Sequence, residues 1–163
     1  MHIHLNEYEF QSIPLFFFDT APAPVLYSSY FNGELNSNSP VFARPNGFDR
    51  LTYYQAYQFI VPMNGTYSFT TNSSFDTYGL LYEDPMDPSF PSGNLIAFND
   101  DSGIGFQFKI TTTLVTGTTY VLVVTSHGDH ITGSFGLIAS GQMQVSLTSF
   151  NPITSVPMPT TSE

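Results

Sequence analysis

The sequence predicts an all-β domain, and three observations carry that prediction. Phe106, Phe108, Ile110, Thr112 and Leu114 alternate with Gln107, Lys109, Thr111 and Thr113. That period of two belongs to a half-buried strand. Turn-forming residues recur at short intervals: Asn64-Gly65, Asn72-Ser73, residues 99–103, Gly117, Gly128-Asp129 and Gly133. Several strands at such spacing indicate a sandwich or barrel. No window combines helical periodicity with caps, and 12 prolines oppose a helix.

Taken in order, the elements divide the 163 residues into an N-terminal arm (1–24), a compact sandwich (25–140) and a C-terminal strand with a Pro/Thr-rich tail (141–163). The arm holds a strand-like stretch at residues 3–10, in which Ile3 and Leu5 are apolar knobs. Residues 51–61 place Leu51, Tyr53, Tyr57, Phe59 and Val61 on one strand face. Residues 120–124, Tyr-Val-Leu-Val-Val, are apolar on both faces and belong in the middle of a sheet. Met143, Val145 and Leu147 share one face of a further strand-like stretch, and the chain ends in a polyproline-prone tail.

Composition narrows function. Hydrophobic residues at 41%, with 16 Phe and 10 Tyr, rule out global disorder. Charged residues make up only 10%, well below the roughly 25% of an average domain, so Ser, Thr, Asn and Gln must cover the surface. Such uncharged polar surfaces suit a secreted, extracellular protein. Arg44, Arg50 and Lys109 are the only cationic side chains against 13 carboxylates, giving a net charge of −10. That charge repels nucleic acid and anionic membrane surfaces and favours cations as partners. With no cysteine, disulfides and thiol chemistry are excluded. No apolar run approaches the roughly 20 residues of a membrane-spanning helix, so membrane insertion is not expected.

Catalytic motifs are missing. Ser134 lies in Thr-Gly-Ser-Phe-Gly, which fails the nucleophile-elbow pattern, and neither a phosphate loop nor a His-Glu-x-x-His pair occurs. A non-catalytic protein is expected. Asn99, Asp100 and Asp101 before Ser102-Gly103 crowd oxygens into one turn, as a Ca²⁺ site needs; a hydrogen-bonded turn explains the same residues. A second acidic group, Glu83, Asp84 and Asp87, reads as a solvated loop. His127 and His130 flank Gly-Asp and offer two imidazoles to a transition metal, or form a polar hairpin tip. Asn64-Gly-Thr and Asn72-Ser-Ser are N-glycosylation sequons expected on turns. Tyr53, Tyr54 and Tyr57 read as core-edge and cross-strand packing, with a sugar-stacking platform as the alternative.

One resemblance organises these pieces. A tyrosine-rich strand, Gly65-Thr-Tyr-Ser-Phe, Asp76-Thr-Tyr with apolar residues, Asn99-Asp-Asp-Ser-Gly, then Gly117-Thr-Thr-Tyr and a Val-rich strand follow one another in order. That order resembles the bacterial pre-peptidase C-terminal (PPC) domain over residues 54–136. The resemblance implies a jelly-roll-like sandwich of about eight antiparallel strands, secreted, non-catalytic, and adhesive or matrix-attaching. It also implies that Asp76 lies on an element beside the acidic turn. PPC-like domains of bacterial collagenases bind calcium through their own linker, and that ligand set has no residue-by-residue match here. Unlike the family module, this one has a strand-like segment at each end. The leading expectation is therefore the subunit of a self-assembling filament, a homo-oligomer that passes Ile3 and Leu5, or Met143, Val145 and Leu147, onto a neighbouring copy. The alternative is a monomeric adhesion or glycan- and matrix-binding module.

Overall fold

The structure, a computed structural model, describes residues 25–47 and 50–152. Ten strands form in these residues: β1 (Tyr27–Leu35), β2 (Val41–Ala43), β3 (Leu51–Ile60), β4 (Gly65–Ser73), β5 (Thr77–Glu83), β6 (Leu95–Asn99), β7 (Lys109–Leu114), β8 (Thr119–Ser126), β9 (Gly133–Gly141) and β10 (Thr148–Phe150). They build two antiparallel sheets, one ordered β1-β9-β4-β7 and one ordered β10-β3-β8-β5-β6, with β2 added to β3. The chain changes sheet at nearly every connection, so the fold is an all-β sandwich. No helix among the described residues is long and apolar enough to cross a membrane.

Strand β8 shows why these residues choose these places. Val121, Leu122, Val123 and Val124 are all fully buried, and β8 sits between β3 and β5. A strand apolar on both faces loses least where both faces are covered. Its inward residues Tyr120, Leu122 and Val124 join Phe59, Phe69, Phe108, Leu81 and Leu137 between the sheets. The Phe59 ring lies 5.2 Å from that of Phe69 and 5.7 Å from that of Tyr120. Each buried aromatic or aliphatic side chain contributes about 1.5–3 kcal/mol, an upper bound given a partly compact unfolded chain. Gly79 on β5 makes room for Phe108, since a Cβ there would stand 2.4 Å from the ring.

The outer face of the six-stranded sheet is apolar as well. Tyr54, Ala56, Leu80, Tyr82, Val121 and Val123 form a second buried cluster with Phe42 and Met86. Strand β3 is thus buried on both faces, not on the single face its alternation predicted. Tyr54 and Tyr57 are core residues, and burial pushes the Tyr57 phenol up to about 12. Of the two readings of these tyrosines, strand packing holds for Tyr54 and Tyr57, and their rings are not available to stack on a sugar.

At the C-terminal end, residues past 140 belong to the same body. Val145 is 2% exposed within the core between the sheets, and Leu147 packs against that core. β10 then pairs with β3, Thr148 opposite Gln58 and Phe150 opposite Ala56. Met143 is exposed. The three residues therefore do not share one outward face, because residues 142–147 are not a regular strand.

Candidate functional site at the turn end of the sandwich

Strands β8, β5 and β6 are successive antiparallel neighbours, with Thr77 opposite Ser126 and Gly79 opposite Asn99. The end of β8, the start of β5 and the end of β6 consequently meet at one end of the sheet. The next residue in each case carries chemistry: His127 follows β8, Asp76 precedes β5 and Asp100 follows β6. Their ligand-bearing atoms all lie within 4.8 Å of one another. His127 Nδ1 and Asp100 Oδ2 are 2.8 Å apart.

The backbone of His127 is held from both sides. Its N–H donates to the Asp76 carbonyl at 3.0 Å. Its carbonyl accepts from Arg50 Nη1 at 3.0 Å and from Arg44 Nη2 at 3.4 Å. Arg44 is itself buried, with its guanidinium 3.9 Å over the Tyr78 ring. A planar cation on an aromatic face tolerates desolvation better than an ammonium does. Two of the three basic residues of the chain therefore gather at this end, a grouping that no motif predicted.

Electrostatics here are unbalanced towards negative charge. Burial raises the Asp76 carboxyl above its ordinary value; Asp100 and Asp101 add to the rise, and His127 and Arg44 oppose it. Asp76 Oδ1 and Asp100 Oδ1 are buried and have no hydrogen-bond partner.

Of the other residues expected to bind metal, Asn99 has a different task. Its Oδ1 accepts from the N–H groups of Ser102 (3.0 Å) and Lys109 (2.8 Å), and its Nδ2 donates to Ser102 Oγ at 2.7 Å. It staples the turn. Asp101 is exposed beside the cluster. His130, at φ 49°, is not part of this cluster, and its ring packs T-shaped with that of Tyr53, the centroids 5.3 Å apart. His127 instead joins the two aspartates, which sequence spacing had no means to show.

The loop that follows Asp100 is pinned from beneath by Gln107, which is 4% exposed. Gln107 Nε2 donates to the Phe75 carbonyl at 2.9 Å and stands 3.2 Å from that of Phe106. Its Oε1 accepts from Thr77 Oγ1 at 3.3 Å. Gly103 N–H closes the loop onto the Gln107 carbonyl at 2.8 Å, and Thr77 N–H holds the Phe106 carbonyl at 3.2 Å. This parity reverses the predicted alternation, with Gln107 inside and Phe106 outside. The amide finds partners in the turned backbone below it, and β7 begins only at Lys109. Held this way, Ile104 is 93% exposed and Phe106 70% exposed, the latter at φ 61°.

The sequons lie elsewhere. Asn64 is exposed and its Oδ1 accepts from Thr116 N–H at 2.7 Å. Asn72, expected on a turn, lies within β4; it lines an open polar cleft of about 750 Å³ with Asn32, Glu34, Gln55 and Ser134. In the second acidic group Met86 is buried, and Asp87 Oδ1 accepts from Ser89 N–H at 2.8 Å and Ser89 Oγ at 2.6 Å. Ile3 and Leu5 lie outside the described residues.

No protein-family model matches this chain. No curated protein matches it either. Among solved structures, Aeromonas hydrophila PliG, a periplasmic lysozyme inhibitor of g-type lysozyme, is similar at 12% identity and a TM-score of 0.43, over 77% of this chain and 90% of that one. No functional reading follows from a likeness of that size.

Proposed function

We propose that this protein is a non-catalytic, extracellular, PPC-like adhesion module that holds a protein partner through the loop of residues 100–107. The observation that carries the reading is Phe106. A bulky residue in the left-handed region costs about 1–2 kcal/mol relative to its ordinary conformations. At 70% exposure Phe106 gains little burial of its own in return. Strain of this kind persists where surrounding structure over-determines it, and it concentrates at binding sites. Here Gln107 does the determining, and Ile104 stands beside Phe106 as a second apolar contact. Loops on a rigid sandwich are the usual place for such contacts. The low charge content and the sequons of the surface agree with an extracellular setting.

The test is retention of beads coated with the full chain on surfaces carrying either matrix proteins or the chain itself. Wild-type beads are expected to hold on one of these surfaces, and Ile104→Ser/Phe106→Ser beads to release. Equal retention of both, or none by wild type, defeats the reading.

Polymerisation by terminal-strand exchange is a second reading. Val145 and β10 lie in their own sandwich, which leaves the N-terminal arm as the donor. What favours it is the exposed apolar entry to β1, where Val25 (70%), Leu26 (62%) and Tyr30 (75%) stand in solvent. Removing residues 1–24 is expected to abolish concentration-dependent light scattering; scattering unchanged by the deletion rules the exchange out.

A further inference from the structure

We propose that Asp76, Asp100 and His127 form a site for a transition metal of the Zn²⁺ class rather than for Ca²⁺. This goes beyond the adhesion reading and does not depend on it.

Donor chemistry decides the class of ion. Ca²⁺ takes six to eight oxygens, and an imidazole nitrogen is a poor member of that set. Two carboxylates and one imidazole are a common donor set for Zn²⁺ and its neighbours, which take imidazole nitrogen readily. Asn99, the extra oxygen that a calcium site would have used, is already committed to three hydrogen bonds. Geometry agrees. The three ligand atoms lie within 4.8 Å of one another, and tetrahedral ligands bound at roughly 2.0–2.2 Å stand about 3.3–3.6 Å apart. Side-chain rotation of a few tenths of an ångström to about an ångström closes the set.

A plain Asp100–His127 hydrogen bond accounts for only part of what is seen. It satisfies Nδ1 and Asp100 Oδ2, and it leaves Asp76 Oδ1 and Asp100 Oδ1 enclosed without a partner. Enclosed carboxylate oxygens with no donor are costly, and each such group in a folded protein calls for an explanation. A dication supplies the missing partner to both and offsets the negative charge that Asp101 adds. The cations already present, Arg44 and Arg50, donate to the His127 carbonyl, and among the described residues neither forms an ion pair with Asp76 or Asp100. An entry path exists, since the side chains of His127 and Asp100 remain 43% and 30% exposed. Three protein ligands leave a fourth position for water or for a donor from outside the chain.

The test uses the full chain with His2 and His4 replaced by Gln, so that imidazoles of the arm bind nothing, and stripped with a chelator. ZnCl₂, CoCl₂ and CaCl₂ are titrated separately by calorimetry and followed by thermal melting. One equivalent of Zn²⁺ is expected to bind and raise the melting temperature, with Ca²⁺ at the same concentration doing neither. Co²⁺ is expected to give the intense visible absorption of a four-coordinate site. His127→Gln and Asp76→Asn, both close in size to the originals, each lower Zn²⁺ affinity tenfold or more; Asp101→Asn and His130→Gln do not. Two variants are used so that if one fails to fold the other decides. Absence of zinc binding means a hydrogen-bonded pair only and overturns the proposal. So does binding that survives both variants, or binding of Ca²⁺ in preference.

Discussion

Replacing Gln107 by Met keeps the volume of the side chain and removes its amide, which isolates what that amide does. The cost follows from its partners. Nε2 has two hydrogens; its best acceptor is the Phe75 carbonyl at 2.9 Å, and the Phe106 carbonyl at 3.2 Å is also held by Thr77 N–H. The Thr77 hydroxyl keeps Thr71 Oγ1 at 2.6 Å and the donated Phe108 N–H at 3.2 Å. The Phe75 carbonyl loses its principal partner, and the Gly105 carbonyl loses a longer contact at 3.3 Å. An orphaned buried acceptor costs about 1–3 kcal/mol, and the remaining weakened bonds add less than about 1 kcal/mol. The expected loss is about 1–4 kcal/mol, or roughly 2–16 °C in melting temperature for a domain of this size. Thermal melting followed by circular dichroism measures the global part. Hydrogen–deuterium exchange of the peptide covering residues 100–108 measures the local part, which should accelerate beyond the rest of the protein. If Gln107→Met melts within a degree of wild type and the peptide exchanges at an unchanged rate, the loop is not held by this amide. The account of why Phe106 stands exposed would then fail with it.

Three further outcomes are expected. Phe106→Gly relieves the left-handed backbone at residue 106 and, after the entropy that Gly adds to the unfolded chain, stabilises by about 0.5–1 kcal/mol while bead retention falls; urea midpoints read the first, and destabilisation refutes the strain. Asp76→Asn is expected to raise metal-free stability at neutral pH. The Asp76 carboxyl is raised in the folded state, so its contribution is present below the ordinary carboxyl value and is lost as pH rises through the folded value. The advantage of Asn should therefore disappear as melts are taken into acid, and an Asn variant weaker than wild type at pH 7 would show that Arg44 and His127 outweigh burial. Val145→Ala removes two buried methyl groups and leaves a cavity, costing about 2 kcal/mol, whereas Met143→Ala stays within about 0.5 kcal/mol. Equal midpoints for the two would place the C-terminal segment outside the folded body.

What the sequence determined by itself is local. Side chains alternate along an extended backbone with a fixed period, so Ile110 to Leu114 and the Val-rich run of β8 announced strands, and the latter announced a central one. Asn99-Asp-Asp-Ser-Gly announced a turn because Asn and Asp bond to nearby backbone, as Asn99 does. The family resemblance already set Asp76 beside the acidic turn, but only the tertiary structure brought His127 to the two aspartates. Asp76, Asp100 and His127 became neighbours only through the order β8-β5-β6 and its register. The inversion at Phe106 and Gln107 depended on carbonyls of the β4–β5 connection, which alternation cannot see. Val145 is core for the same reason: a space between two sheets, assembled from distant segments, was the size of its side chain. Periodicity is a property of one strand, while a site or a cavity is a property of several brought together.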